Sequence, residues 1–484
     1  MPPEPNQDIP ATHASRTAER CAHWDSVAAR LDSSPGWGGC YHRRLADVYR
    51  LVIPEGASVL ELGCAQGDLL AALRPGRGVG VDFSTEMIRR ARERHPDLEF
   101  ILADVHEIAL NETFDFIILS DLVNDLVDVQ AALQRLHGLV HPRSRVILNL
   151  HSQMWRGPLT LARRFGLATP LLPQNWLTAE DAAHMLYLAD FELLRVWQEV
   201  LSPLPCPLLT PLLNRWMVKL WPCRFLALTN VLMARPAPVR PALAAEPLVS
   251  VIVPARNEAG NIEAVFRRTP DMGRGTELVF VEGGSSDNTA EAITQAIAAH
   301  PERKALFLRQ TGKGKGDAVR LGFERASGDI LMILDADLTM PPEALPRFYE
   351  ALRSGKADLV NGVRLVYPMD KKAMRFLNLL ANKSFSLAFS WLLGQPIKDT
   401  LCGTKAMWAS DYARIAANRA YFGDFDPFGD FDLLFGAAKL NMRLVDLPIR
   451  YEERTYGTTN IHRWRHGVLL LRMVLFAANR IKFV

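Results

Sequence analysis

Asp329-Ile330-Leu331-Met332-Ile333-Leu334-Asp335-Ala336-Asp337 carries an aliphatic run of strand length into two acids spaced i, i+2. An unbroken run such as Ile330 to Leu334 suits a strand buried on both faces, as in a parallel sheet covered by helices. Asp335 and Asp337 then stand where that strand leaves the core. Hard cations such as Mg2+ and Mn2+ take oxygen ligands, typically one or two carboxylates plus the phosphates of a substrate. Two acids around one small residue can therefore serve a metal and a phosphate-bearing ligand from a single turn.

Three segments precede the triplet in an order that fits this reading. A strand over Leu248 to Val253 runs through Pro254 into the polar turn Ala255-Arg256-Asn257-Glu258. A second strand, Leu278 to Val281, ends in Glu282-Gly283-Gly284-Ser285-Ser286-Asp287-Asn288-Thr289. Gly312-Lys313-Gly314-Lys315-Gly316 is a flexible basic loop that opens a helix at Asp317, and its lysines either meet phosphate or lie in solvent. Strands alternating with helices predict an α/β fold with a parallel sheet covered on both faces.

In that order the segments resemble the family-2 glycosyltransferases, specifically the polyprenyl-phosphate sugar transferases related to dolichyl-phosphate mannose synthase, over Leu248 to Asn479. The resemblance implies a GT-A type sheet and an inverting, single-displacement transfer from a nucleotide-sugar. Pro254, Asn257, Glu258, Glu282, Asp287, Lys313 and Asp335 are the candidates for holding the nucleotide-sugar. Asp335 and Asp337 match the Mg2+- or Mn2+-binding pair, and Asp337 is taken as catalytic. Glu282 stands where the family often has Asp, and Gly283 replaces a second Asp.

The acceptor side has two readings. Asp430-Phe431-Asp432 precedes an apolar helix start, and the resemblance implies that in sugar-to-hydroxyl members an acid there acts as general base, removing the acceptor proton. A lipid phosphate, already ionised, needs cations instead of a base. Arg364 and Arg375 match the arginines that hold the acceptor phosphate in the mannose-synthase group, and a planar guanidinium suits that task. Ordinary surface arginines are the plain alternative. The helix Lys371 to Leu393 and the basic-aromatic stretch Tyr451 to Gly467 suit a membrane surface, or else core packing. In the latter stretch Thr459 and Asn460 replace the Ser and Lys of the group's R-x-x-G-x-S-K segment.

Upstream, the prolines at 236, 238, 241 and 247 break both helix and strand, so a semi-rigid linker is expected over 236–247. Beyond it a second α/β alternation begins. Val59-Leu60-Glu61-Leu62-Gly63-Cys64-Ala65-Gln66-Gly67-Asp68 is a strand over Ser58 to Leu62, a glycine turn, and a helix from Asp68 to Leu73. The glycines let backbone approach a ligand at a helix N-terminus. Gly78 to Asp82 is a second strand ending in an acid that can accept both hydroxyls of a ribose. Strands Leu98 to Leu102 and Phe114 to Leu119 lead to Asp104 and to Ser120-Asp121.

This half, about Trp24 to Arg235, resembles the class I S-adenosylmethionine-dependent methyltransferases. The likeness makes Glu61, Gly63, Gly67, Asp82, Asp104 and Asp121 candidate binders of S-adenosyl-L-methionine, with Ala65 in place of the usual middle glycine. Tyr41, Asn124, His151 and Trp155 are candidates to line the methyl-acceptor pocket, and no residue announces itself as a base.

Together these readings predict two Rossmann-like domains: a loose tail over 1–23, a methyltransferase domain over 24–235, and a glycosyltransferase domain over 248–484. A formal charge of +3 gives no nucleic-acid signal. Six scattered cysteines read as reduced thiols in the cytoplasm. No apolar run reaches the ~20 residues of a spanning helix, so a peripheral place on the cytoplasmic face of a membrane is expected. The competing expectation is a soluble transferase acting on a small-molecule or protein hydroxyl, with the first half a non-catalytic scaffold.

Overall fold

Seven strands form the first sheet: β1 Ser58–Leu62, β2 Arg77–Asp82, β3 Glu99–Leu102, β4 Phe114–Leu119, β5 Val140–His151, β6 Phe191–Glu199 and β7 Thr229–Pro236. The structure, a computed structural model, describes residues 8–30, 38–166, 168–169, 171–238, 245–364, 376–419, 430–452, 454, 456 and 463–483. The chain divides between Ala237 and Pro238 into two units, and each is built on one sheet.

The first sheet runs β3-β2-β1-β4-β5-β7-β6. Its first five strands are parallel. Leu60 and Leu62 pack into one layer with Leu119 and Val146, and Val59 into the opposite layer with Tyr49 and Ile118. This two-sided burial explains why β1 reads as an unbroken apolar run. The chain reverses direction of growth between β1 and β4, and a crevice opens outside the carboxyl ends of strands at such a point.

The second sheet adds β8 Val249–Ala255, β9 Thr276–Glu282, β10 Ala305–Arg309, β11 Ile330–Ile333, β12 Leu359–Val363, β13 Lys405–Trp408 and β14 Leu444–Pro448. Its order is β10-β9-β8-β11-β13-β12-β14, with the switch point between β8 and β11. Val249, Val251, Ile252 and Val253 are fully buried, so the β-branched stretch fits a central strand covered on both faces.

The two-domain α/β expectation holds, with three differences. Both sheets are mixed: β7 runs antiparallel to β5 and β6, and β13 antiparallel to β11 and β12. Long returns after β6 and β12 bring these strands back in the opposite sense, which local periodicity does not reveal. Most of the expected tail over 1–23 belongs to a helix, Asp8–Arg30, tied to the sheet by Ser84 Oγ, which donates to Asp25 at 2.5 Å. β11 ends at Ile333, so Leu334 and the acids lie in the turn.

Within the expected linker, Pro236 closes β7 and residues 239–244 lie outside the described residues. Glu246 is held by Arg353 at 2.5 Å and by the Tyr349 hydroxyl at 2.5 Å. Among the described residues no helix is long and apolar enough to cross a membrane.

Candidate active sites

In the second unit the turn after β8 is knitted to the turn after β9. Asn257 adopts a left-handed backbone, φ 58°. Its Oδ1 accepts from the Ser286 N–H at 2.7 Å and hydroxyl at 3.2 Å, and its own N–H donates to Ser285 Oγ at 3.0 Å. Glu282 Oε1 accepts from the Ser285 N–H at 2.5 Å. Asp287 accepts from the Thr289 N–H at 3.1 Å and from the Tyr456 hydroxyl at 3.4 Å. Pro254 lies in β8 opposite Val281. These bonds bring Pro254, Asn257, Glu282 and Asp287 together on one rim.

The acids beyond β11 are each met by a cation. Asp335 Oδ1 lies 2.5 Å from Lys315 Nζ. Burial pushes the Asp335 carboxyl up, but Lys315, with Lys405 and Arg364 behind it, outweighs burial and holds it below the ordinary carboxylate range. Asp337 Oδ1 accepts from the Thr339 N–H at 3.1 Å and hydroxyl at 2.8 Å. Its Oδ2 accepts from Arg454 Nη2 at 2.5 Å, and Arg454 Nη1 reaches Glu258 Oε1 at 3.2 Å. Burial raises the Glu258 carboxyl to about 7 against the pull of Arg454. A Cβ on Gly403 would stand 2.0 Å from Lys315 Nζ and 2.3 Å from Asp335 Oδ2, so glycine leaves that pair undisturbed where any side chain would push its ends aside.

Asp335 and Asp337 offer hard oxygen donors of the kind a divalent cation takes. Among the described residues no group of three His, Cys, Asp or Glu side chains could hold one. Two carboxylates alone suit a cation whose remaining positions are filled by water and substrate phosphate.

The acceptor-side residues are placed less uniformly. Arg364 makes a fork with buried Asp399, Nε at 2.7 Å and Nη2 at 2.9 Å, and its guanidinium lies over the Tyr451 ring at 5.3 Å. Asp432 is buried and accepts from Arg419 Nε at 2.8 Å. Arg375, the Asp430 side chain, Thr459 and Asn460 lie outside the described residues. Lys313 is exposed.

In the first unit the turn after β1 holds three left-handed residues, Gly63, Ala65 and Gly67. Ala65 therefore takes the middle position with its methyl group, which a non-glycine residue adopts at some cost. A Cβ on Gly67 would lie 2.5 Å from the Phe100 ring. Asp82 accepts from the N–H of Ala65 and of Ser84, each at 2.9 Å. Burial raises the Asp82 carboxyl to about 6 and that of Glu61 to about 8. Glu61 Oε2 is buried with no hydrogen-bond partner.

A cleft beside this turn is lined by Gly63, Asp82, Asp104 and Leu122, with Thr17 and Arg20 of the first helix. Asp104 Oδ1 lies 2.6 Å from His106 Nδ1, and that bond raises the His106 pKa. Asp125 takes Trp24 Nε1 at 2.7 Å and also Arg20. Asp121, left-handed at φ 54°, accepts from the Tyr41 hydroxyl at 2.7 Å and Asn149 Nδ2 at 2.5 Å. His151 Nε2 lies 3.9 Å from the same oxygen. Burial lowers the His151 pKa, with Asp121 opposing, and its Nδ1 is buried without a partner. Asn124 donates to the Asn175 carbonyl at 2.7 Å, and Trp155 Nε1 to the Leu226 carbonyl at 2.9 Å.

Residues 250–409 match the model of Glycosyl transferase family 2, and residues 53–185 match that of a methyltransferase domain. The chain carries a family-2 glycosyltransferase domain. It carries a methyltransferase domain ahead of it.

Over 235 residues the chain is 28% identical to an undecaprenyl-phosphate 4-deoxy-4-formamido-L-arabinose transferase of Edwardsiella ictaluri, covering 47% of this chain and 66% of that protein. The Pectobacterium carotovorum protein of the same name is 32% identical over 217 residues, covering 44% and 62%. A dolichol-phosphate mannosyltransferase of Pyrococcus furiosus is 38% identical over 120 residues, covering 24% and 33%. The chain thus spans between a third and two thirds of the length of these relatives. Among solved structures, glucosyl-3-phosphoglycerate synthase of Mycobacterium tuberculosis aligns at 20% identity and TM-score 0.36, covering 49% of this chain and 80% of that one. An S-adenosylmethionine-dependent methyltransferase of Thermotoga maritima aligns at 15% and 0.34, covering 44% and 99%.

Several contacts in both domains escape a linear reading. In the glycosyltransferase domain Lys315, two residues beyond the singled-out Lys313, is the lysine that reaches Asp335. Arg454 reaches Asp337 from 117 residues downstream. Asp399, the partner of Arg364, sits in Ile397-Lys398-Asp399-Thr400, which carries no pattern of its own. In the methyltransferase domain Arg20 and Trp24 join the cleft from a stretch whose polar, proline-rich start looked like a tail. Its helical periodicity from Asp8 onward was the available signal.

Proposed function

We propose that the glycosyltransferase domain moves a sugar from a nucleotide-sugar to a polyprenyl phosphate, and that the methyltransferase domain moves a methyl group from S-adenosyl-L-methionine to an acceptor not yet identified. The observation that carries the first reading is the Asp335–Asp337 turn with Lys315 and Arg454 on its carboxylates, on the rim shared with Asn257 and Asp287. Asp335 and Asp337 would hold Mg2+ or Mn2+, which when bound offsets the charge gathering on the departing diphosphate. Lys315 and Arg454 are the chain's own phosphate-seeking cations, and a diphosphate at this turn gives them a second anionic partner. Asn257, Glu282 and Asp287 hold the rim that would receive the nucleotide.

The acceptor reading rests on chemistry and on the relatives' names. A phosphate monoester oxygen is already ionised near neutral pH and attacks the sugar carbon as the bond to the diphosphate breaks. No proton need be removed, in keeping with Asp432 being occupied by Arg419. Arg364, forked to Asp399 and lying over the Tyr451 ring, is the cation proposed to seat that phosphate.

In the methyltransferase domain Gly63, Gly67, Asp82 and Asp104 would cradle the cofactor, with buried Glu61 behind the turn. The orphaned Glu61 oxygen and the lined cleft support that fit. Tyr41, Asp121 and His151 form the polar cluster at the methyl-accepting end.

The purified chain should be offered a panel of nucleotide-sugars with polyprenyl phosphate and Mn2+ or Mg2+, with products read by mass spectrometry. A lipid phosphate carrying one sugar supports the proposal; sugar found only on soluble hydroxyl acceptors would refute it. Calorimetry with S-adenosyl-L-methionine tests the other domain, where binding lost in Asp82→Ala is expected.

A further inference from the structure

We infer that the methyltransferase domain docks on an anionic lipid surface through residues 152–165 and 204–226. Among the described residues of the whole chain, large exposed apolar side chains concentrate in these two segments. Phe165 is 69% exposed, Leu208 89% and Trp221 75%, and Met154, Phe225 and Leu226 are each more than half exposed. Residues scattered singly would need no explanation; a contiguous patch does.

The patch is one surface. Trp155 Nε1 donates to the Leu226 carbonyl at 2.9 Å, and the Ser152 N–H to the Leu228 carbonyl at 2.7 Å. It is also built, with a fixed inner face. Buried Asn214 accepts from the N–H of Leu201 at 2.8 Å and of Ser202 at 2.9 Å, and donates to the Ser202 carbonyl at 2.7 Å. Buried Lys219 pairs with Glu199, and Val218 is buried. These anchors turn Leu208, Trp221 and Phe225 outward.

Charge decides the occupant. No acidic residue occurs between Asp128 and Glu180, nor between Glu199 and Glu246. Both exposed segments fall inside those stretches. Arg156 and Arg164 are exposed beside Met154 and Phe165, and the Arg224 guanidinium lies over the Phe225 ring at 5.1 Å. Aromatic and leucine side chains outward, arginines among them and no carboxylate within either segment match the interface of an anionic bilayer. The inference stands on this surface alone and needs neither transfer reaction.

The test is co-sedimentation of the full chain with vesicles of phosphatidylcholine, with and without phosphatidylglycerol. The native chain should partition more strongly to the anionic vesicles. Leu208→Ser/Trp221→Ser/Phe225→Ser together should weaken partitioning roughly tenfold or more, with an unchanged unfolding profile. Arg156→Gln/Arg164→Gln should weaken it on anionic vesicles alone. A comparator with Val468→Ser/Leu471→Ser/Leu475→Ser, exposed residues of the C-terminal helix, reports any contribution from the other domain. Native-like sedimentation of the triple-serine variant of the first patch would overturn the inference, whatever the comparator does. So would a change of oligomeric state in that variant with partitioning intact. Sugar transfer to detergent-dispersed polyprenyl phosphate, measured alongside, keeps failure here separate from failure of the glycosyltransferase proposal.

Discussion

A divalent cation held at Asp337, as proposed, would compete with Arg454 for the same carboxylate. With Nη2 at 2.5 Å from Asp337, the guanidinium occupies one oxygen a metal would take. Arg454→Ala should therefore tighten Mn2+ binding several-fold in calorimetry while lowering turnover, because the diphosphate loses a charge-assisted donor. Parallel losses of metal affinity and turnover would contradict that split. Glu61 makes a second prediction at this scale. Burial raises its carboxyl from the ordinary 4.5 to about 8. The folded state therefore holds the proton more tightly than the unfolded state, and the stability this gives is complete below 4.5. It is lost as pH rises through 8. Hydrogen exchange of β1 and β2 peptides, corrected for intrinsic rates, should show this domain loosening over that window, and Glu61→Gln should flatten the dependence. At this scale the sequence exposed most members but not the pairs: Asp335, Asp337, Arg364, Lys315 and Arg454 all stand in motifs, whereas Asp399, and which cation meets which acid, become visible only when distant segments meet.

At the level of elements, Asp399 joins the end of β12 to a helix of the glycosyltransferase domain. Its carboxylate takes the Arg364 N–H and guanidinium just past β12, and Asn382 of the helix Phe376–Leu393 at 3.0 Å. Removing one member of a buried ion pair strands the other, so Asp399→Ala should cost about 3–5 kcal/mol by denaturant titration. The loop before β13 makes a different demand. Gly403→Ala drives a Cβ into Lys315 Nζ and Asp335 Oδ2. Because those are side-chain ends, the expected outcome is a folded protein with turnover strongly reduced. Strands buried on both faces, such as β1, β4 and β8, were legible to within a few residues from their apolar runs. The antiparallel placement of β13 and β7 was not, because strand direction is set by the long returns that precede them.

For the molecule as a whole, two switch points carry the functional reading, one between β1 and β4 and one between β8 and β11. Polar residues at strand ends mark both in the sequence, since a buried run must become polar where it meets a ligand crevice. The surface over 152–165 and 204–226 was harder to see. A leucine or tryptophan suits a core as well as a surface until the fold turns it outward, and the missing carboxylates stand out only over some fifty residues. The central claim is that Asp335 and Asp337 support sugar transfer through a divalent metal. The most direct test is transfer to polyprenyl phosphate by the native chain and by Asp337→Ala, each before and after chelation and Mn2+ return. The expected result is activity that chelation removes, Mn2+ restores, and Asp337→Ala lacks throughout. Transfer that persists in the chelated native chain and in Asp337→Ala would contradict it.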